Sequence, residues 1–208
     1  MSPSRSFLAY VTLAHMLLKS ELTKTLMTRM KDLSERRSRL QARSNEVLTL
    51  SKRAIFAVHR GDLPGAMQGL QEARLAIKEI KVLIQKTSRL AQEGSWRAAQ
   101  EEFAEASLVM QYVTHHQVGR VREISDDPDL FLGALSDMTG ELTRRAVLLA
   151  SERQDDEVRR IFHDVREAVD FLLQMDLTGS LRTKVDQAKQ NLRKLEEIQY
   201  DLSLRRGV

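Results

Sequence analysis

Cysteine is absent from the sequence, which excludes disulfides and thiolate metal sites. Proline occurs three times and glycine nine times in 208 residues. So little turn chemistry disfavours a fold of many short strands and favours long helices. Long apolar runs are also missing. The one stretch resembling a targeting segment, Phe7 to Leu18, is too short to span a bilayer, contains His15 and has no small-residue cleavage pattern after it. A buried or partner-facing opening helix is expected there rather than a signal peptide, with no membrane association and a cytoplasmic location. Neither a repeat of 20 to 50 residues nor a Gly-rich phosphate loop nor a dinucleotide fingerprint occurs.

What is present is charge, unevenly placed. Residues 1 to 60 carry 12 Lys and Arg against 4 Asp and Glu, whereas residues 126 to 208 carry 13 against 17. A basic front beside an acidic remainder points to a polyanion-binding surface, with oligomer contacts as the competing explanation. With 42% hydrophobic residues, the chain can bury one sizeable core, and a single all-helical domain over 1–208 is expected.

Gly, Pro and Asp clusters at residues 61–65, 94–95, 125–128, 154–156 and 178–180 delimit six helices. Their expected spans are 5–59, 65–92, 96–123, 128–153, 156–175 and 180–205. Asp127 followed by Pro128 reads as an N-cap with proline at the first helical position. Along the first helix, Leu26, Leu33, Leu40, Val47 and Ala54 recur every seven residues and predict a bundle seam. Arg29, Arg36 and Arg43 recur at the same interval on another side, with Arg39 one turn from two of them. This basic stripe is either a solvated face or a nucleic-acid-binding surface.

Two carboxylate pairs carry candidate chemistry. Glu102 and Glu105 are about 60° apart around the third helix, and Asp137 and Glu141 about 40° apart around the fourth. Each pair can aim at one point. Asp137 and Glu141 sit among Leu135, Met138 and Leu142, so partial burial is expected, and Gly140 between them invites a reason such as close backbone approach. Converging carboxylates in a partly dry cleft repel one another unless a cation neutralises them, and Mg²⁺ or Mn²⁺ takes oxygen ligands of this kind. Ordinary surface acids remain the alternative. Neither pair contains the histidine that a di-iron bundle site needs. Of the histidines, His59 and His163 are expected at the surface or as caps, and the adjacent His115 and His116 point about 100° apart. Trp96 is expected in the core or an interface, with base stacking as the alternative.

Three segments resemble the translin and translin-associated factor X superfamily, in the family's order. They are Glu35-Arg36-Arg37 through Ser51-Lys52-Arg53-Ala54-Ile55-Phe56-Ala57-Val58-His59-Arg60, then Glu102-Phe103-Ala104-Glu105-Ala106, then Asp129-Leu130-Phe131-Leu132-Gly133 through Asp137-Met138-Thr139-Gly140-Glu141-Leu142-Thr143-Arg144. The C-terminal stretch from Leu195 to Gly207 is similar instead to the ending of translin itself. The resemblance implies an all-α, long-helix bundle that assembles into a hollow, octamer-like homo-oligomer and binds RNA or single-stranded DNA. It also implies a Mg²⁺- or Mn²⁺-dependent endoribonuclease whose catalytic and metal-holding residues are Glu102, Glu105, Asp137 and Glu141, with Arg29, Arg36, Arg39 and Arg43 facing phosphates. The chain departs from the family in its short connection before Asp129. Around Trp96 and Arg97, it also has no residue-by-residue match to translin's basic and histidine RNA-contacting segment. A non-catalytic binding shell and a helical scaffold are the other functions compatible with the sequence.

Overall fold

A computed structural model describes residues 20–206, so the stretch from Phe7 to Leu18, His15 and the expected helix start at residue 5 lie outside the described residues. Among the described residues there are six α-helices and no strand, in agreement with the expected all-α class: α1 (Ser20–His59), α2 (Leu63–Lys86), α3 (Gly94–His115), α4 (Pro128–Ser151), α5 (Asp155–Leu173) and α6 (Gly179–Arg206). None of these helices is long and apolar enough to cross a membrane.

The chain divides into two compact units, residues 1–42 and 43–208. In the first, the described part is helical throughout. Leu22, Leu26 and Met30, spaced four residues apart, lie on one side of it and are exposed, as is Met27. The expected seam is therefore buried only at Leu40, Val47 and Ala54, while Leu26 stands open at 47% exposure.

The second unit is built around α4, which packs on α3, α5 and α6. Three neighbours require apolar side chains around most of its circumference, and Leu130, Leu132, Ala134, Leu135, Met138, Leu142, Ala146 and Leu149 are all buried. The Asp127 carboxylate accepts from the Asp129 N–H at 3.1 Å, and Pro128 opens the helix as expected. Small residues set the spacing of the helices. A Cβ on Gly140 would stand 3.3 Å from the Asn191 amide nitrogen, and that amide donates to Thr139 Oγ1 at 2.9 Å. Gly140 thus admits the close crossing of α6 over α4 that its place mid-helix suggested. On α5 the buried Val158, Ile161, Val165, Val169 and Leu172 form one stripe, and Asp155, Asp156 and Glu157 complement the dipole at its first turn.

Two boundaries differ from expectation. The second helix ends at Lys86, because Thr87 turns extended at φ −153° and donates its N–H to Ile84. A short 3-10 turn, Ser88–Gln92, follows and buries Leu90. The third helix stops at His115, eight residues before the expected end. His116 takes the left-handed conformation at φ 53° and returns its N–H to Tyr112 O at 2.7 Å. Beyond it, Gln111 accepts from the Gly119 N–H at 2.7 Å and buried Gln100 accepts from the Ser125 N–H at 2.8 Å, so side chains of α3 hold the returning loop.

Candidate active site

Helix α3 buries Trp96, Ala99, Phe103 and Ala106 along one stripe, and its packing on α4 fixes where the flanks of both helices meet. Phe103 is fully buried and contributes about 1.5–3 kcal/mol of transfer free energy to that contact. On those flanks stand Glu102 and Glu105 from α3 and Asp137 and Glu141 from α4, all half-buried. The four belong to one electrostatic cluster. Glu105 is pushed from its ordinary 4.5 to about 8, first by burial and then by the charges of Glu102, Asp137 and Glu141. Burial also raises Glu102 and Asp137, each against the pull of a lysine. The two sequence-spaced pairs are therefore near enough for the charges of one to act on the other.

Two lysines and a histidine from other helices enter the same cluster. His59 Nε2, at the end of α1, donates to Glu141 Oε2 at 2.5 Å, and this bond outweighs burial in lowering the Glu141 pKa. The His59 side chain is only 4% exposed, and its Nδ1 is buried with no partner. Lys52, two turns earlier on α1, approaches Glu102 at 3.9 Å from an exposed position. Lys184, on α6, makes ion pairs with Asp137 and, at 2.8 Å, with Glu101 Oε1. Burial opposes the charge on Lys184, but its hydrogen bonds to the two carboxylates hold its pKa above the usual lysine value. Glu101 reaches across α4 because residue 133 is glycine, since a Cβ there would collide with Glu101 Oε1.

Glu105 stands apart from the others. Among the described residues it has no ion pair or hydrogen bond. The set thus holds five carboxylates, Glu101 included, around Lys184, His59 and the exposed Lys52. Among the described residues, no three His, Asp or Glu side chains already converge as metal ligands. Asp137 is paired with Lys184 of α6, and Glu141 with His59 of α1. By donor chemistry the residues nonetheless fit a hard divalent ion, since the site is oxygen-rich, short of positive charge and half-buried.

His59 was expected at the surface or as a cap and instead lies buried against Glu141. One signal pointed to it: Lys52 and His59 are seven residues apart, on the side of α1 that meets the acids. Lys184 and Glu101 had no such signal. Trp96 is 4% exposed, a core residue as expected, which removes base stacking. His163 is exposed as expected, and His116 accompanies the Arg160 guanidinium at 3.1 Å.

Of the four arginines of the stripe, three lie in the first unit and one in the second. In the first, Arg29 and Arg39 are exposed and Arg36 pairs with Asp32 at 3.6 Å. In the second, Arg43 is engaged by Glu46 at 2.6 Å and Glu79 at 2.8 Å.

Comparison with known proteins returns a consistent set. The sequence profile described as the Translin family matches residues 35–206. No curated protein sequence matches the chain. Among solved structures, apo-NeC3PO is similar with a TM-score of 0.79 and 20% identity, covering 88% of this chain and 97% of that one. AfC3PO in a duplex RNA complex is similar with a TM-score of 0.80 and 18% identity, covering 88% and 97%. A second AfC3PO structure gives a TM-score of 0.81 and 19% identity, covering 89% and 99%.

Proposed function

We propose that this chain, which belongs to the Translin family, binds RNA and single-stranded DNA and hydrolyses RNA phosphodiesters at its carboxylate site with Mg²⁺ or Mn²⁺ as cofactor. One observation carries the proposal: the surplus of half-buried acid at the meeting of α3 and α4, concentrated in the unpartnered Glu105. Like charges held in such a place destabilise the fold unless they take up protons or something of opposite charge is bound there. Glu102, Glu105, Asp137 and Glu141 would hold the ion through their oxygens. When bound, such an ion polarises a phosphoryl oxygen and lowers the pKa of a coordinated water.

The protein's own contribution is orientation. The acids stand on rigid, mutually packed helices, and His59 keeps Glu141 ionised and aimed. Exposed Arg29 and Arg39 supply positive charge for a phosphate backbone without reading bases. That AfC3PO forms a duplex RNA complex on a similar fold supports RNA as the ligand class. The exposed Leu22, Leu26 and Met30 on α1 support assembly into an octamer-like homo-oligomer, because a row of this kind otherwise remains in water.

The test is to incubate the protein with labelled single-stranded and duplex RNA, in Mg²⁺ or EDTA, and to repeat with Glu102→Ala and Asp137→Ala. Cleavage is expected only in Mg²⁺ and only with the acids intact. Cleavage that survives EDTA, or survives both substitutions, would sink the mechanism, and a clean monomer by light scattering would refute the assembly. A second reading, binding without cleavage, is favoured by one observation: Asp137 and Glu141 are already engaged by Lys184 and His59. It predicts retention of RNA with no metal-dependent products.

A further inference from the structure

Lys184 stands out because its cationic head lies among the acids and comes from a helix that contributes none of them. Its ammonium bridges Glu101 of α3 and Asp137 of α4, so one side chain of α6 ties two helices together. Several features favour that position. Gly133 leaves room for Glu101 to reach over α4. Val185 and Leu181, buried on either side, fix the face that α6 presents. Lys184 itself is 28% exposed on its side chain, so water screens the pairs only in part.

From this geometry we propose that Lys184 is a tethered counter-cation that occupies Asp137 in the metal-free protein and must release it when a divalent ion enters the carboxylate site. The inference rests on the metal-dependent reading above and assigns a role to a residue that reading does not use. A lysine and a divalent ion cannot share the same carboxylate oxygens at full strength, and each repels the other across a few ångströms of low-dielectric surroundings. Lys184 therefore weakens metal binding while stabilising the metal-free fold. Once displaced, its ammonium remains tethered to α6 and close to Glu101, which it already contacts at 2.8 Å. In this respect Lys184 is a positioning residue for Asp137, and the free energy lost with its Asp137 pair raises the metal concentration at which the site fills.

Mn²⁺ binding to the full-length protein, read by electron paramagnetic resonance, distinguishes the outcomes. Lys184→Met removes the charge and keeps the apolar stem, and should bind Mn²⁺ roughly tenfold more tightly than the wild type. Lys184→Arg keeps the charge and should stay within about twofold of the wild type. In thermal melts, Lys184→Met should be less stable than the wild type in EDTA yet gain more from saturating Mn²⁺, because tighter binding to the native state adds more stability. A purely structural ion pair would lower both melts equally.

If the Met variant does not fold, amine-labelling mass spectrometry of the wild type gives the same answer: Mn²⁺ should raise labelling at Lys184. Affinity in Lys184→Met equal to or weaker than wild type, or labelling unchanged by Mn²⁺ that does bind, overturns the role of Lys184. Provided wild-type binding is abolished by Asp137→Asn, that result leaves the metal site standing. Mn²⁺ bound by neither the wild type nor Lys184→Met overturns both.

Discussion

Replacing Glu105 by glutamine tests the electrostatics of the site without RNA or metal. In the folded chain the Glu105 carboxyl is raised from 4.5 to about 8, with burial as the largest cause. The native state therefore keeps a proton that the unfolded state releases. The stability this contributes is fully present below pH 4.5 and is lost as pH rises through 8. Between pH 5.5 and 8.5 the loss amounts to about 3 kcal/mol, taking 1.36 kcal/mol per pH unit of proton-uptake difference. Glutamine is uncharged throughout and resembles the protonated acid in shape. In EDTA, Glu105→Gln should match the wild type near pH 5.5 and exceed it at pH 8.5 by that amount. For a chain of this length the difference corresponds to roughly 6–12 °C in melting temperature. Melts of both proteins across this range, followed by circular dichroism, make the comparison. Parallel curves, with a gap that does not widen by at least about 1 kcal/mol, would show that Glu105 is not held protonated by its surroundings. The account of the cluster as short of positive charge would then fail.

Three further outcomes are expected. Trp96→Ala should cost about 3–5 kcal/mol in urea denaturation, since the indole is buried in the core; a loss below about 1 kcal/mol would restore a surface role for it. Replacing Arg29, Arg36 and Arg39 together by glutamine should weaken single-stranded RNA binding and reduce the slope of log affinity against log salt by up to about 2. An unchanged slope would remove the stripe from the interface. Arg43→Gln alone should leave the slope unaltered, because that guanidinium is held by Glu46 and Glu79, and filter binding across a salt series would reveal any change.

The helical class, most helix starts and the two acid pairs are legible in the sequence because each rests on local information. The N-cap at Asp127 and the i,i+3 and i,i+4 spacings need no knowledge of distant partners. The end of α3 was not legible. His116 takes a left-handed conformation that usually marks glycine, and the next cluster of turn residues lies only at 125–128, so the expected helix ran past its true end. The basic partners of the acids were hidden for a different reason. Lys184 lies 47 residues from Asp137, and His59 lies 82 from Glu141, and no periodicity spans such separations. Gly133 and Gly140 marked places where another group passes close, yet only the packed chain shows Glu101 at one and Asn191 at the other.

The origin of Lys184 on α6 also has a bearing on biosynthesis. At a translation rate of about 5–20 residues per second, α6 follows the completion of α4 by roughly 3–10 s. During that interval the nascent chain already carries every acid of the cluster, and it has Lys52 and His59 but not the ammonium that bridges Glu101 and Asp137. Helix α6, which emerges after all of these acids, thus delivers compensating charge late, so docking of α3 on α4 should stay incomplete until α6 arrives, and a ribosome stalled between them would display a loose, acidic intermediate to chaperones.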